Sequence, residues 1–281
     1  MNLLVDTHNH ISFWSPDASQ TWEELMEQAT LRGLHGVAIS DHYDPDCRMA
    51  DGTEWTFDPQ AYMDTFYDKR RLPSQRKPGD PPGFLLAIEM GWMPEAKELL
   101  HKILADHPFD FAVISLHYLR NQDPFTDAEA IYTSELHRTY TEVVHAIADS
   151  AEEMSEARII GHYDFFSRYA PQDRSKMLYE HAPEAFDRLF GIMIQNGQAL
   201  EINVGTVNSL VKRKGYSLQE AMPDPAILNR YRELGGEAFS ICSDAHYPAQ
   251  NGLHMPETLA YLDSLGIREF VWFEAGQAMG G

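Results

Sequence analysis

Only two cysteines, Cys47 and Cys242, occur in 281 residues, and they stand in unrelated contexts. Two isolated thiols make neither a disulfide framework nor a thiolate metal site, so both read as buried or incidental. Apolar runs are short as well. None approaches the ~20 residues that cross a bilayer, so no membrane association is expected. The first residues enter a strand-like run almost at once, without the basic stretch and apolar core of an export signal, and a cytoplasmic location is expected. Positive charge is scarce, with 22 Lys and Arg against 43 Asp and Glu. A polyanion groove needs clustered cations, so no nucleic-acid partner is expected. A small anionic substrate is compatible, because bound divalent ions make a pocket locally positive on an acidic protein. No linker or repeat divides the chain. Its length suits one α/β barrel spanning residues 1–281.

Short apolar runs alternate with longer amphipathic stretches, the pattern of βα units around a mostly parallel sheet. Helices are expected over 21–32, 59–70, 94–104, 127–150, 175–196, 225–234 and 256–265. Thr21, with Glu24 three residues on and Gly33 beyond, has the composition of a capped first helix. The strand-like runs, including 200–203 and a last one at 270–273, total about eight. Residues 71–83 and 206–223 read as excursions from the framework, the second carrying Lys212-Arg213-Lys214.

Six of the runs lead directly into potential metal ligands: His8 and His10, His42, Glu89, His117, His162, and Asp244 with His246. Parallel strands closed into a barrel bring their carboxyl ends to one rim, so these side chains converge there. At i and i+2 on a strand, His8 and His10 share a face, and Asp244 and His246 repeat that geometry. Asp6 is placed to orient an imidazole. Glu89 closes an apolar run, where a carboxylate is costly without a cationic partner; its two oxygens suit a bridge between two ions. His101, His137, His145 and His181 fall in helical stretches, His107 in a turn, and His35 at the opposite rim.

The series Asp6-Thr7-His8-Asn9-His10, Ser40-Asp41-His42, Glu89, Ser115-Leu116-His117-Tyr118-Leu119, Gly161-His162-Tyr163-Asp164 and Ser243-Asp244-Ala245-His246 resembles the polymerase and histidinol phosphatase (PHP) family. Glu201-Ile202-Asn203 and the Ser-x-His-Tyr-Leu stretch are most similar to its histidinol-phosphatase branch. The resemblance implies a distorted TIM-like (β/α)7 barrel with three divalent transition metal ions (Zn, Mn or Fe) at the C-terminal rim of the strands. It implies one ion held by His8, His10, Glu89 and Asp244, a second by Glu89, His117 and His162, and a third by Asp17, His42 and His246. Ser15-Pro16-Asp17 reads equally well as an ordinary turn.

The activity implied is metal-dependent hydrolysis of a small phosphate monoester, histidinol phosphate in this branch, by hydroxide formed from a metal-bound water. Another sugar phosphate or nucleotide, or a non-catalytic metal-binding module, are the alternatives. An amidohydrolase would commonly bridge its metals through a carboxylated lysine at the fourth strand, where this chain has His117. Arg168 matches the family position that faces substrate phosphate. A second arginine, expected soon after Glu201-Ile202-Asn203, is missing, and Arg213 or Lys212 stands as its substitute. His246, His42 or Asp17 is placed to assist the leaving group, with the general acid left open.

Overall fold

The computed structural model describes residues 3–45, 53–132 and 135–280. Cys47 lies outside the described residues, and Cys242 is a free, buried thiol. Apolar runs bounded by turns make strands that bury both faces. Seven of them pair in parallel, in sequence order: β1 (Val5–Asp6), β2 (Gly36–Tyr43), β3 (Gly83–Gly91), β4 (Phe111–Ser115), β5 (Ile159–Ile160), β6 (Ala199–Asn203) and β7 (Phe239–Cys242). The ends meet. Thr7 N donates to Ile241 O at 3.3 Å, Asp244 N to His8 O at 3.0 Å and His10 N to Ala245 O at 3.0 Å, which brings β7 against β1. The fold is therefore a nearly closed, TIM-like barrel of seven parallel strands.

Around it run α1 (Trp22–Leu31), α2 (Pro59–Phe66), α3 (Lys97–Asp106), α4 (Ala128–Ile131), α5 (Leu136–Glu153), α6 (Pro183–Asn196), α7 (Val204–Lys214), α8 (Leu218–Ala221), α9 (Pro225–Glu233) and α10 (Met255–Ser264). The first forms as its sequence indicates: Thr21 and Glu24 make a reciprocal capping box, and Gly33 follows at φ +69°. Among the described residues no helix is long and apolar enough to cross a membrane.

The period of two along each strand sorts its side chains between the barrel's interior and the face covered by helices. Ala38, Leu85, Ala87, Val113, Ile159 and Ala199 join one buried cluster inside the barrel, while Val37, Ile39, Leu86, Ile88 and Ile114 join the larger core that faces the helices. Continuing the inward alternation from Ala38 reaches His42, from Leu85 reaches Glu89, and from Ala199 reaches Glu201. The apolar floor thus positions polar side chains one layer above it. Burying each Leu, Ile or Val here contributes about 1.5–3 kcal/mol, so the floor anchors what stands on it.

Several expected elements differ. The run at 270–273 is not a barrel strand: β8 (Val271–Glu274) pairs antiparallel with β9 (Gln277–Gly280) in a separate two-stranded sheet. Ala275 and Gly276, both at positive φ, fold the chain back on itself there. Trp272 and Phe273 then enter the inner cluster and cover the barrel floor. Residues 206–223 are not an excursion but α7 and α8. Asn203 accepts the Thr206 N–H as N-cap, Gly215 ends the helix at φ +68°, and the basic run occupies the last turn, where cations suit the helix dipole. The stretch 127–150 splits into α4 and α5, and 175–196 becomes helical in earnest only at Pro183. Residues 71–83 do form a loop. Pro73 packs so closely against Gly36 and Gly83, at the amino end of β2 and β3, that a Cβ on either would come within 2.7 Å of it.

Candidate metal centre

Glu89 stands at the centre of the upper layer, fully buried at the end of β3. Its Oε1 lies 3.1 Å from His117 Nε2 and 2.9 Å from His162 Nε2, and accepts a hydrogen bond from Ser115 Oγ at 2.6 Å. Its Oε2 lies 3.2 Å from His8 Nε2, 3.6 Å from His10 Nε2 and 2.7 Å from His42 Nδ1. One oxygen thus faces two imidazoles and the other faces three. Gly161 makes room for this arrangement, because a Cβ there would fall 2.2 Å from Ser115 Oγ.

The remaining expected ligands join the same cluster. His10 Nε2 is 3.3 Å from Asp244 Oδ1. His246 Nε2 is 3.1 Å from Asp17 Oδ2 and 3.4 Å from His42 Nε2, and Asp17 Oδ1 is 3.7 Å from His42 Nε2. Asp17 is thus brought to the site by its turn, whose base is set by Asp41: that carboxylate accepts from Ile11 N at 2.8 Å, Ser15 Oγ at 2.7 Å and Tyr62 OH at 3.0 Å. Asp244 has φ +50°, a strained value for a residue with a side chain.

A buried polar atom without a hydrogen bond is costly, so its partner has to be sought. Among the described residues, His8 Nε2, His10 Nε2, Glu89 Oε2 and Asp17 Oδ1 are buried and find no hydrogen-bond partner. They point at one another. The triads His8/His10/Asp244, His8/Glu89/His162 and His10/His42/His246 each bring their donor atoms within 4.8 Å. Imidazole nitrogens and carboxylate oxygens converging in this way can hold divalent transition ions, which would satisfy every one of these atoms at once.

The electrostatics agree with a shared cationic centre. Burial pushes the Glu89 carboxyl up, but His8, His117 and His42 outweigh it and hold it well below the usual carboxylate range. Burial would likewise lower His42, yet Glu89 and Asp17 push it up to about 9. His10 is held well below its ordinary value by burial, with His42 and His246 adding to the effect.

Three residues outside the expected set hold the clustered side chains in place. Glu201 Oε2 lies 2.8 Å from His8 Nδ1, and its Oε1 accepts from His162 N and Asn203 Nδ2, both at 2.9 Å. Its signal was present: a carboxylate between Leu200 and Ile202 has the same unfavourable apolar setting as Glu89. Asp44 Oδ1 lies 2.6 Å from His117 Nδ1, and Asp44 shares the i, i+2 relation with His42. Ser115 carries no signal of its own in the sequence. Asp6, expected to orient an imidazole, instead accepts from Ser243 N at 2.9 Å and Ser243 Oγ at 2.5 Å. It ties β1 to the end of β7, and Glu201 takes the orienting role at His8.

Arg168 stands beside the centre and is largely committed to the protein. Its Nη2 donates to Asp244 Oδ2 at 2.9 Å and Asn203 Oδ1 at 3.0 Å, and its Nε donates to Thr206 Oγ1 at 2.9 Å. Among the described residues none accepts a hydrogen bond from Nη1. Arg213 is not brought into the cluster. It is exposed in the last turn of α7, with its guanidinium 5.3 Å from the Tyr169 ring centroid and 5.9 Å from that of Phe125. His35 bonds Pro73 O at the amino rim, as its position before β2 indicates.

Comparison with known proteins gives the same picture. A relative from Clostridium acetobutylicum named "Probable histidinol-phosphatase" is 27% identical over 97% of both chains. The histidinol-phosphatase of Lactococcus lactis subsp. lactis is 21% identical over 96% of this chain and 94% of its own. The crystal structure of histidinol phosphate phosphatase from that organism, complexed with Zn, L-histidinol and phosphate, shares the fold at TM-score 0.82, with 19% identity and 99% of each chain covered. A family model described as PHP domain matches residues 6–205, the stretch that carries all the clustered histidines except His246. That match covers more than two thirds of its length, and the chain belongs to the PHP domain family.

Proposed function

We propose that the protein is a metal-dependent phosphomonoesterase that hydrolyses histidinol phosphate to histidinol and phosphate. The observation that carries the metal dependence is the set of buried, unbonded nitrogen and oxygen atoms around Glu89. The substrate reading draws on relatives of matching length that bear the histidinol-phosphatase name. We assign His8, His10, Glu89 and Asp244 to one ion, Glu89, His117 and His162 to a second, and Asp17, His42 and His246 to a third, with Zn, Mn or Fe all compatible with these donors. Bound ions supply Lewis-acid polarisation of phosphate oxygens and a water acidic enough to react near neutral pH.

The residues of the chain supply the rest. Glu201 holds His8 through Nδ1, so the ring keeps Nε2 available to a cation. Arg168 offers Nη1 to a phosphate oxygen while Asp244, Asn203 and Thr206 hold the remainder of its guanidinium in place. Such a fixed donor stabilises charge as it builds on the phosphoryl group. Asp17 and His246, 3.1 Å apart, lie together at the third position, where they could assist the leaving oxygen only through the ion they hold, so the general acid is left open. Arg213, stacked on Tyr169, is the outer cation of the anion site in this proposal. The substrate is small, the reaction cytoplasmic, and the whole chain one catalytic domain.

The test is elemental analysis of freshly purified protein alongside phosphate release. More than one transition ion per chain is expected, and removal by a chelator should abolish turnover until metal is restored. A metal-free protein with full activity would sink the proposal. Proton competition gives a second check. Metal-free His42 holds its proton until pH rises to about 9, and an imidazole must lose that proton to bind an ion. Affinity should therefore climb as pH rises from about 6 to about 9, with protons released on uptake. Uptake that is independent of pH over that range would count against His42 as a ligand.

A further inference from the structure

We propose that Asp44 is a positioning residue whose single carboxylate sets the orientation of two imidazoles assigned to different ions, His117 and His42, and so couples occupancy of the second and third positions. This rests on the three-ion reading above.

Asp44 is 2% exposed and directly follows β2. Its Oδ1 is 2.6 Å from His117 Nδ1, a charge-assisted hydrogen-bond distance. Its Oδ2 is 3.5 Å from His42 Nδ1. In both rings the other nitrogen faces the cluster: His117 Nε2 lies 3.4 Å from His162 Nε2, and His42 Nε2 lies 3.4 Å from His246 Nε2. A carboxylate at Nδ1 keeps the proton there, which leaves the Nε2 lone pair free for an ion. Glu89 Oε2 is a nearer acceptor for His42, at 2.7 Å. An oxygen that holds a cation accepts a proton poorly, however, and Asp44 is the buried carboxylate left to that ring.

The carboxylate has a built seat. Gly91, two residues beyond Glu89 on β3, is where a Cβ would lie 1.7 Å from Asp44 Oδ1 and 2.6 Å from Cγ. Any side chain at that position would expel Asp44 from between the two rings. Asp44 Oδ2 makes no hydrogen bond and is buried, which leaves it able to accept from His42.

The experiment counts ions per chain for the wild type, Asp44→Ala, Asp44→Asn and Gly91→Ala during titration with a chelator, with the melting temperature of each metal-free protein as control. Asp44→Ala is expected to release two ions at about 10–100-fold lower chelator concentration, the usual cost of removing such a partner, while one ion stays at wild-type affinity. Asp44→Asn keeps an acceptor for His117 but presents an amide donor to His42, so one ion alone should weaken. Gly91→Ala displaces Asp44 without changing it and should repeat the alanine result, which also carries the test if Asp44→Ala does not fold. Unchanged release in both Asp44→Ala and Gly91→Ala overturns the proposal. So does loss of only one ion in Asp44→Ala, or lowered melting with wild-type release. A wild-type chain that holds a single ion overturns the three-ion reading itself, whatever the variants do.

Discussion

Replacing Glu89 with Gln is expected to lower ion content and phosphate release together, with kcat/KM falling roughly 10²–10⁴-fold. The substitution keeps the side-chain volume and removes one buried negative charge. In the present arrangement that charge is shared among His8, His42, His117 and His162, at 2.7–3.2 Å. An amide in its place turns donor hydrogens toward groups that are themselves meant to face cations. Ions held there would contribute several kcal/mol of transition-state stabilisation, and each 1.36 kcal/mol is a factor of ten, which gives the range. Far-UV circular dichroism should change little, since Glu89 belongs to the polar layer and not to the apolar floor. A Glu89→Gln protein with near-normal ion content and turnover would show that the carboxylate does not bridge.

Arg168→Ala should reduce kcat/KM for every phosphomonoester about 10²–10³-fold, the usual cost of removing a fixed donor to developing negative charge. Arg168→Lys should recover only part of this. Lysine's single ammonium cannot bond Asp244, Asn203 and Thr206 together and still offer a donor outward. The link to Asp244 makes ion content the deciding companion measurement. If Arg168 acts on phosphate, ion content stays near wild type while turnover falls; equal loss of both would make it a support for Asp244 instead. Neutralising Arg213 should do less, because that guanidinium is exposed and stacked on Tyr169 and Phe125.

Much of the architecture is legible in the chain itself because parallel strands buried on both faces leave apolar runs, and the residue after each run must lie at one rim. His8, His10, His42, Glu89, His117, His162, Asp244 and His246 could be placed together for that reason alone. Asp17 is different. It belongs to a turn whose path depends on Asp41 accepting hydrogen bonds from Ile11, Ser15 and Tyr62, and no local pattern encodes such a long-range tie. Asp44 and Glu201 carry the same signals as the expected ligands, a shared strand face and an apolar setting, yet the structure sets them against Nδ1 of His117 and His8, so these signals mark a carboxylate that holds a clustered imidazole as readily as one at the cluster's centre. The hairpin of β8 and β9 looked like an eighth barrel strand because Val271-Trp272-Phe273 is apolar and β-prone. Only the closing contacts between β1 and β7 exclude it. The basic run at 212–214 looked like an excursion because charge dominates it, whereas its position at a helix C-terminus satisfies the same charges.

The central claim is the substrate, and phosphate release from histidinol phosphate by the metal-loaded protein, beside sugar phosphates and nucleotides under the same conditions, tests it most directly. The account predicts that histidinol phosphate has the highest kcat/KM, by about tenfold or more, a preference worth about 1.4 kcal/mol at the transition state. An equal rate across the panel, or a sugar phosphate or nucleotide hydrolysed more efficiently than histidinol phosphate, would contradict it.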